Sequence, residues 1–181
     1  MSNNAVAELD IDQDSSLKFR SQEIPGLENA ILIYLSGYIE TYNCSYFNRQ
    51  MEKVLAAGFN KIVLQMAGIT FISSTPVGAF VGLQKRLKDM HGSLVFVEMP
   101  PRPFEVFDLL GFKFFFDFVS SIPDALEILQ RRTRKEQAFP AVFRCPSCGK
   151  RLRASKAGRF RCSNCKSIFV LDEEARFLPA S

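Results

Sequence analysis

From Leu17 onward the chain alternates between two hydrophobic rhythms. Leu17-Lys-Phe-Arg20 alternates apolar and polar residues, as a half-buried strand does. Pro25-Gly26 marks a turn, and residues 30–39 carry the Ile, Leu and Tyr of a strand. Over 41–57, Cys44, Phe47, Met51 and Val54/Leu55 recur at steps of three and four, which places them on one helix face. Gly58 ends that helix, because glycine tolerates the left-handed turn that follows. Residues 61–66 form the next strand.

Ser73-Ser74-Thr75-Pro76 opens the next helix: hydroxyl side chains accept free amide protons, and proline suits a first turn. Val77, Phe80, Val81, Leu83 and Leu87 supply its apolar side. Lys85, Arg86, Lys88 and Asp89 point outward, and Gly92 stops it. Residues 93–99 read as a buried strand bounded by Pro100-Pro101. A short helix over 103–110 ends at Gly111, and 113–119 reads as another strand. Ser121-Ile-Pro-Asp124 has the shape of a capping box, with Asp for the usual Glu, before a last helix carrying Ala125, Leu126, Ile128 and Leu129. Strands alternating with helices predict an α/β layer structure. Roughly 110 residues suffice for such a domain to fold alone.

The flanks differ from this pattern. Residues 1–16 hold Asp10, Asp12 and Asp14 among Ser and Asn with few apolar groups, so they are expected to be a disordered tail. From Arg131-Arg-Thr-Arg-Lys135 to Pro140 the helical pattern fades, and 131–142 is expected to be a basic linker. The same cations also suit a helix's last turn. The organisation predicted is therefore a tail (1–16), an α/β domain (17–130), a linker (131–142) and a small appendage (143–175).

Charge separates the two parts. Residues 1–140 hold 14 Lys+Arg against 16 Asp+Glu, whereas 141–181 hold 9 against 3. A basic tail on a mildly acidic domain points to an anionic partner, or only to solubility. No apolar run approaches the roughly 18 residues of a membrane helix. The first eight residues lack the basic and apolar regions of a secretory signal, so a cytoplasmic location without membrane contact is expected. Nothing in the pattern sets an oligomeric state.

One histidine and no tryptophan argue against a His-dependent triad. There is no nucleophile–base pair, no phosphate-cradling glycine loop and no open metal site, so an enzyme is not expected. Cys44, on the apolar helix face, reads as an inert buried thiol. His91, at a helix end, contributes a cap or a charge. Residues 104–118 contain seven phenylalanines. Most must be core, but strand alternation sets Phe115 opposite Phe114 and Phe116, so one face could present an aromatic patch to a partner.

Three segments carry a resemblance. They are Leu35-Ser-Gly37-Tyr-Ile-Glu40-Thr-Tyr-Asn43 before a helix, Ile69-Thr-Phe71-Ile-Ser73-Ser74-Thr75-Pro-Val-Gly78 after a strand, and His91-Gly92-Ser-Leu94-Val-Phe-Val97 followed by Leu110-Gly111-Phe112. In this order and spacing they resemble a STAS domain, the fold of bacterial anti-sigma factor antagonists, over about 17–130. The resemblance implies a STAS-like mixed sheet with helices. It also implies a partner surface that includes Glu40, Asn43, Ser73, Ser74 and Thr75. In that family the loop before the second helix commonly reads Asp-Ser-Ser/Thr-Gly-Leu-Gly, and its first Ser is phosphorylated by an anti-sigma kinase. Ser74 matches that serine, with Thr75 beside it. Ser73 replaces the acidic residue, Pro76 replaces the glycine, and Glu40 stands where Asp is usual. A phosphate at a helix N-terminus would add about −1.5 to −2 charges beside unpaired amides, changing binding without changing the fold.

The tail carries the clearest chemical signal: Cys145-Pro-Ser-Cys148-Gly-Lys and, 13 residues on, Cys162-Ser-Asn-Cys165-Lys. Two residues between cysteines let both sulfurs of one turn reach one ion, and two such turns supply a closed tetrahedron of thiolates. The segment is too small to hold a core, and metal binding would supply its folding energy. It resembles a short zinc ribbon over about 143–170. Structural Zn2+ on Cys145, Cys148, Cys162 and Cys165 is expected, although iron would use the same sulfurs. Disulfides are disfavoured in a cytosolic chain.

Two functions follow. One is a regulatory module binding an anti-sigma factor or a related kinase or sensory protein, with the ribbon as a second interaction surface. The alternative is a nucleic-acid-binding transcriptional regulator. It would use Arg144, Lys150, Arg151, Arg153, Lys156, Arg159, Arg161 and Lys166 on phosphates, with Phe143, Phe160 and Phe169 stacking on bases. The same phenylalanines could equally form the ribbon's small core.

Overall fold

The computed structural model describes residues 15–178, the side chains of 135 and 136 left aside. The tail expected over 1–16 therefore lies outside the described residues except for Ser15 and Ser16. The chain divides into two compact units between Leu129 and Gln130.

The first unit runs β1 (Leu17–Glu23), β2 (Ala30–Ile39), α1 (Cys44–Ala56), β3 (Lys61–Ile72), α2 (Ser74–Asp89), β4 (Ser93–Val97), α3 (Pro101–Leu109), β5 (Asp117–Val119) and the start of α4 (Ile122–Ala138), a helix that crosses the boundary. Its five strands lie in the order β1-β2-β3-β4-β5. Strand β1 is antiparallel to β2, and the remaining pairs are parallel. The mixed α/β sheet expected from the pattern is present.

Alternation along the strands divides two apolar layers. Ile31, Ile33 and Leu35, then Ile62, Leu64 and Met66, then Leu94 and Phe96 join Phe47, Phe80 and Phe107 from α1, α2 and α3. Leu32, Val63, Val95 and Val97 face the other way, with Ala125 and Leu129 of α4. Both faces are thus covered, which is why the parallel strands read as continuous apolar runs. Rings knit the larger layer: Phe96 lies edge-on to Phe80 at 5.2 Å and to Phe107 at 5.6 Å.

The structure departs from the pattern in three places. Strand β3 has 12 residues, where the apolar run predicted six, because two register shifts against β2 absorb extra residues and carry it on to Ile72. The strand expected over 113–119 is only Asp117–Val119, preceded by a turn from Leu110 to Phe115. Helix α4 continues to Ala138, through most of the expected linker. At its start, Ser121 Oγ accepts the Asp124 amide at 3.3 Å, as that motif requires, and it is the same hydroxyl that donates to the Asp124 carboxylate, at 2.6 Å.

In the second unit, β6 (Ala141–Arg144) pairs with β7 (Arg151–Ala154). Strands β8 (Gly158–Arg161), β9 (Ile168–Leu171) and β10 (Phe177–Leu178) form a three-stranded sheet in the order β10-β9-β8. Its core is Cys145, Ala154, Cys162, Phe169 and Leu171, with Phe139, Phe143, Leu152 and Phe160 packed around it.

Candidate functional site

Parallel strands β2 and β3 end side by side, so the loops that leave them meet. Asn43 fixes the first loop. It is 1% exposed; its Oδ1 accepts the Glu40 amide at 2.8 Å, and its Nδ2 donates to the Tyr38 carbonyl at 2.9 Å and to the Ser16 hydroxyl at 2.8 Å. The neighbouring Gly37 has φ 111°, and a Cβ there would lie 2.0 Å from the Ser16 carbonyl oxygen. Glycine is required where β1 begins this close to β2.

The second loop is tied to the first. The Ser73 amide donates to the Ile39 carbonyl at 3.0 Å, and Thr41 Oγ1 donates to Thr75 Oγ1 at 3.0 Å. Glu40, Asn43, Ser73, Ser74 and Thr75, separated in sequence, therefore come together at one end of the sheet. Ser74 and Thr75 are exposed, and Ser74 is the first residue of α2. No acidic residue stands in that helix's first turn. Pro76, the third residue, removes one of the amides that would otherwise be free there.

Hydroxyl capping of α2 is not as expected. Ser73 is the N-cap residue, with extended φ −82° and ψ 174°, but makes no side-chain capping bond. Its hydroxyl is buried without a partner. Thr75 bonds across to Thr41 instead, so the hydroxyls join loops or stay free.

An aromatic flank went unread in the sequence. Tyr38, Tyr42 and Phe71 are 36%, 61% and 45% exposed, Tyr38 and Phe71 are register partners, and the two tyrosine rings are 6.2 Å apart. The signal was present in Tyr38-Ile-Glu40-Thr-Tyr42, an aromatic two residues either side of Glu40. By contrast, the patch expected from Phe114–Phe116 alternation is corrected. These residues lie in a turn, where Phe115 packs against the core and Phe116 is buried. Phe114 alone stands out, at 90% exposure. Cys44 is buried, and burial pushes its thiol above the ordinary range.

The four tail cysteines meet in the second unit. Their Sγ atoms all lie within 4.8 Å of one another, with Cys145–Cys165 at 3.6 Å and Cys148–Cys162 at 3.7 Å. Thiolates about 2.3 Å from one tetrahedral zinc stand about 3.8 Å apart, so the donor set fits a metal of that kind. Each Cys-x-x-Cys is the same turn. Cys145 N–H donates to the Lys150 carbonyl at 2.8 Å, and Gly149 N–H to the Cys145 carbonyl at 2.9 Å; Cys162, Ser167 and Lys166 repeat the pattern at 2.9 and 3.1 Å. Both turns need a left-handed residue after the second cysteine, and Gly149 (φ 74°) and Lys166 (φ 63°) fill it.

Cys145 and Cys162 are buried, while Cys148 and Cys165 are exposed. The Ser167 hydroxyl lies 3.5 Å from Cys145 Sγ and 3.0 Å from Cys165 Sγ. That hydroxyl, then the Ser147 and Cys148 amides, pulls the Cys145 thiol down to about 6, and the Ser167 side chain and amide also lower Cys165. These bonds favour the thiolate, which is the form that ligates, whereas at Cys162 the pull of the Cys165 amide is outweighed by burial and by the Cys145 and Cys165 side chains, which push that thiol upward.

The stacking platform considered for nucleic acid is not available. Phe169 is buried, and Phe143 and Phe160 lie against it at ring distances of 5.5 and 6.0 Å. They form the ribbon's core.

A four-stranded parallel run extended by one antiparallel strand, with exposed hydroxyls where β2 and β3 end, defines an α/β domain of the STAS architecture. The chain belongs to the STAS domain family, whose match covers residues 21–125. Residues 142–178 match a domain of unknown function, DUF8512. Among relatives, the chain is 25% identical over 105 residues to the "Putative anti-sigma factor antagonist BtrV" of Bordetella bronchiseptica, covering 58% of this chain and 88% of that protein. It is 27% identical over 86 residues to the anti-sigma-B factor antagonist of Bacillus subtilis, covering 48% and 78%. Its fold is similar to an anti-sigma factor antagonist from Mycobacterium paratuberculosis, with TM-score 0.56, 16% identity, and 64% and 95% coverage. Unphosphorylated SpoIIAA, an anti-sigma factor antagonist, superposes with TM-score 0.54, 15% identity, and 63% and 97% coverage. Among the described residues no helix is long and apolar enough to cross a membrane.

Proposed function

We propose that this chain is a regulatory protein-binding module, not an enzyme. Its STAS unit (17–130) docks an anti-sigma factor, or a related kinase or sensory protein, at the end of the sheet where β2 and β3 finish. Glu40, Ser74 and Thr75 contact the partner, and the buried Asn43 and the half-buried Ser73 hold the loops that present them. Ser74 is the residue that takes phosphate. The observation that carries this reading is its position: exposed, first in α2, on a loop tied to the first by the Ser73–Ile39 and Thr41–Thr75 bonds. A phosphate there is favoured by the helix terminus and repelled by any acidic partner surface. The names of both curated relatives support the same class of partner.

The ribbon (143–175) is held by structural zinc on Cys145, Cys148, Cys162 and Cys165 and offers a second interaction surface. A closed tetrathiolate site leaves no position for substrate, so the ion shapes the segment rather than reacting.

Affinity purification from the native host, with phosphosite mapping, tests the reading. An anti-sigma-type kinase should co-purify, its binding should be lost in Ser74→Asp and kept in Ser74→Ala, and Ser74 should carry phosphate. An unmodified Ser74 under every growth and stress condition would remove the switch. Binding indifferent to Ser74→Asp and to Glu40→Lys would remove the surface.

A further inference from the structure

The second unit carries more cation than its own structure uses. In the β6–β7 hairpin, Arg144 stands directly opposite Arg151, and Arg153 opposite Val142. All four side chains are exposed, whereas Phe143, Leu152 and Ala154 alternate with them toward the core. Arginines directly opposite one another on one face of a strand pair repel, and nothing in the hairpin relieves this. Two of the unit's acids are engaged elsewhere: Asp172 and Glu174 both pair with Arg176, at 3.0 and 2.9 Å. Arg151 and Arg153 have no acidic partner within ion-pair distance among the described residues, and Arg144 reaches the Gly149 carbonyl oxygen at 3.4 Å.

Strand β7 pairs with β6 alone, so its other side is a sheet edge. An edge strand presents N–H and C=O groups in alternation, and only another peptide answers both. A phosphodiester strand supplies acceptors for the N–H groups but faces the carbonyl oxygens with negative charge. Phe143, Phe160 and Phe169, which would have to stack on its bases, pack on one another instead. Arg151 and Arg153 are two residues apart and therefore on one face, roughly 6.5–7 Å apart along the strand. Acidic residues at every second position of an added strand meet them in register and also neutralise the Arg144–Arg151 repulsion.

We propose that the free edge of β7 binds an extended acidic segment of a partner protein, adding it as a strand whose alternate Asp or Glu side chains pair with Arg151 and Arg153. The backbone ladder holds the segment, and the arginines select its charge and its two-residue period. This site does not depend on Ser74 or on the STAS unit's partner.

The full-length, zinc-loaded protein is titrated with two short peptides of identical composition, one alternating Glu and Thr and one with all its Glu in a single block. Single-stranded and duplex DNA oligonucleotides of equal charge complete the set. At about 0.15 M salt the alternating peptide should bind about ten-fold tighter than the block peptide, the worth of a few cross-strand charge pairs. Arg151→Glu with Arg153→Glu should abolish that preference while the protein keeps its zinc. If that variant loses zinc, Arg151→Gln with Arg153→Gln gives the same reading without the added acids. Equal binding of the two peptides, DNA binding tighter than the alternating peptide, or a preference that survives loss of both arginines each overturns the proposal.

Discussion

Asn43 and Ser73 both bury side-chain polar atoms at the same end of the sheet, but their consequences are opposite. Asn43 makes three bonds that fix one loop, so Asn43→Ala leaves the Glu40 amide without its acceptor. Its loss should cost about 2 kcal/mol, read as a lower urea midpoint with unchanged slope. Ser73 buries a hydroxyl that bonds to nothing. Ser73→Ala should therefore leave stability unchanged or raise it slightly, whereas a capping serine would lose about 1 kcal/mol. A fall of that size would restore the capping role that the sequence suggests. The triplet Ser73-Ser74-Thr75 marks a helix start in sequence. Which hydroxyl caps, which bridges to Thr41 and which stays free depends on a neighbour 34 residues away, and no local pattern encodes that.

Elements long enough to show a period were legible, and those set by a partner strand were not. Helices α1 and α2 announce themselves through Phe47, Met51 and Val54 and through Phe80, Leu83 and Leu87, each set spaced to one face. Strand β3 outran its apolar run because Gly68, Ile69, Phe71 and Ile72 pair with β2 across two register shifts, which are properties of β2 as much as of β3. Residues 113–116 looked like the start of a strand because aromatics favour strands, yet tertiary packing decides such segments. Two substitutions test the corrected picture. Phe116→Ala, which removes a buried ring touching Phe96 at 5.3 Å and Phe107 at 5.6 Å, should cost about 3–5 kcal/mol. Phe114→Ser should change stability by less than about 0.5 kcal/mol. If the two residues shared a strand face, as the sequence implied, both substitutions would be costly, and thermal melts of the pair distinguish the cases. The four-cysteine cluster was the most legible feature, since its spacing alone specifies two equivalent turns.

At the scale of the whole molecule each unit has its own source of stability, and chelation should distinguish the two. The first has layered cores on both faces of its sheet. The second buries little beyond Phe169, Leu171, Ala154 and two of its own thiols. Four sulfurs within 4.8 Å of one another repel as thiolates unless a cation sits among them. Chelation of the full-length protein should therefore abolish amide-exchange protection over 141–178 while protection of β2, β3 and β4 persists, because structural zinc supplies folding energy outright in segments this small. Acid should act in the same direction. The Cys145 thiol sits at about 6 in the folded unit, below the ordinary range of about 8.5, so it contributes stability that is full above the ordinary value and lost as pH falls through about 6. Ion release follows that fall, since each ligand must shed a proton to bind. Metal content measured after dialysis across pH 8 to 5 should drop most steeply at the lower end, together with loss of protection in the second unit alone. Ser167→Ala should move the drop to higher pH, because its hydroxyl is the largest influence holding the Cys145 thiol down. Protection over 141–178 that survived exhaustive chelation would mean that the small aromatic core, not the ion, maintains the ribbon.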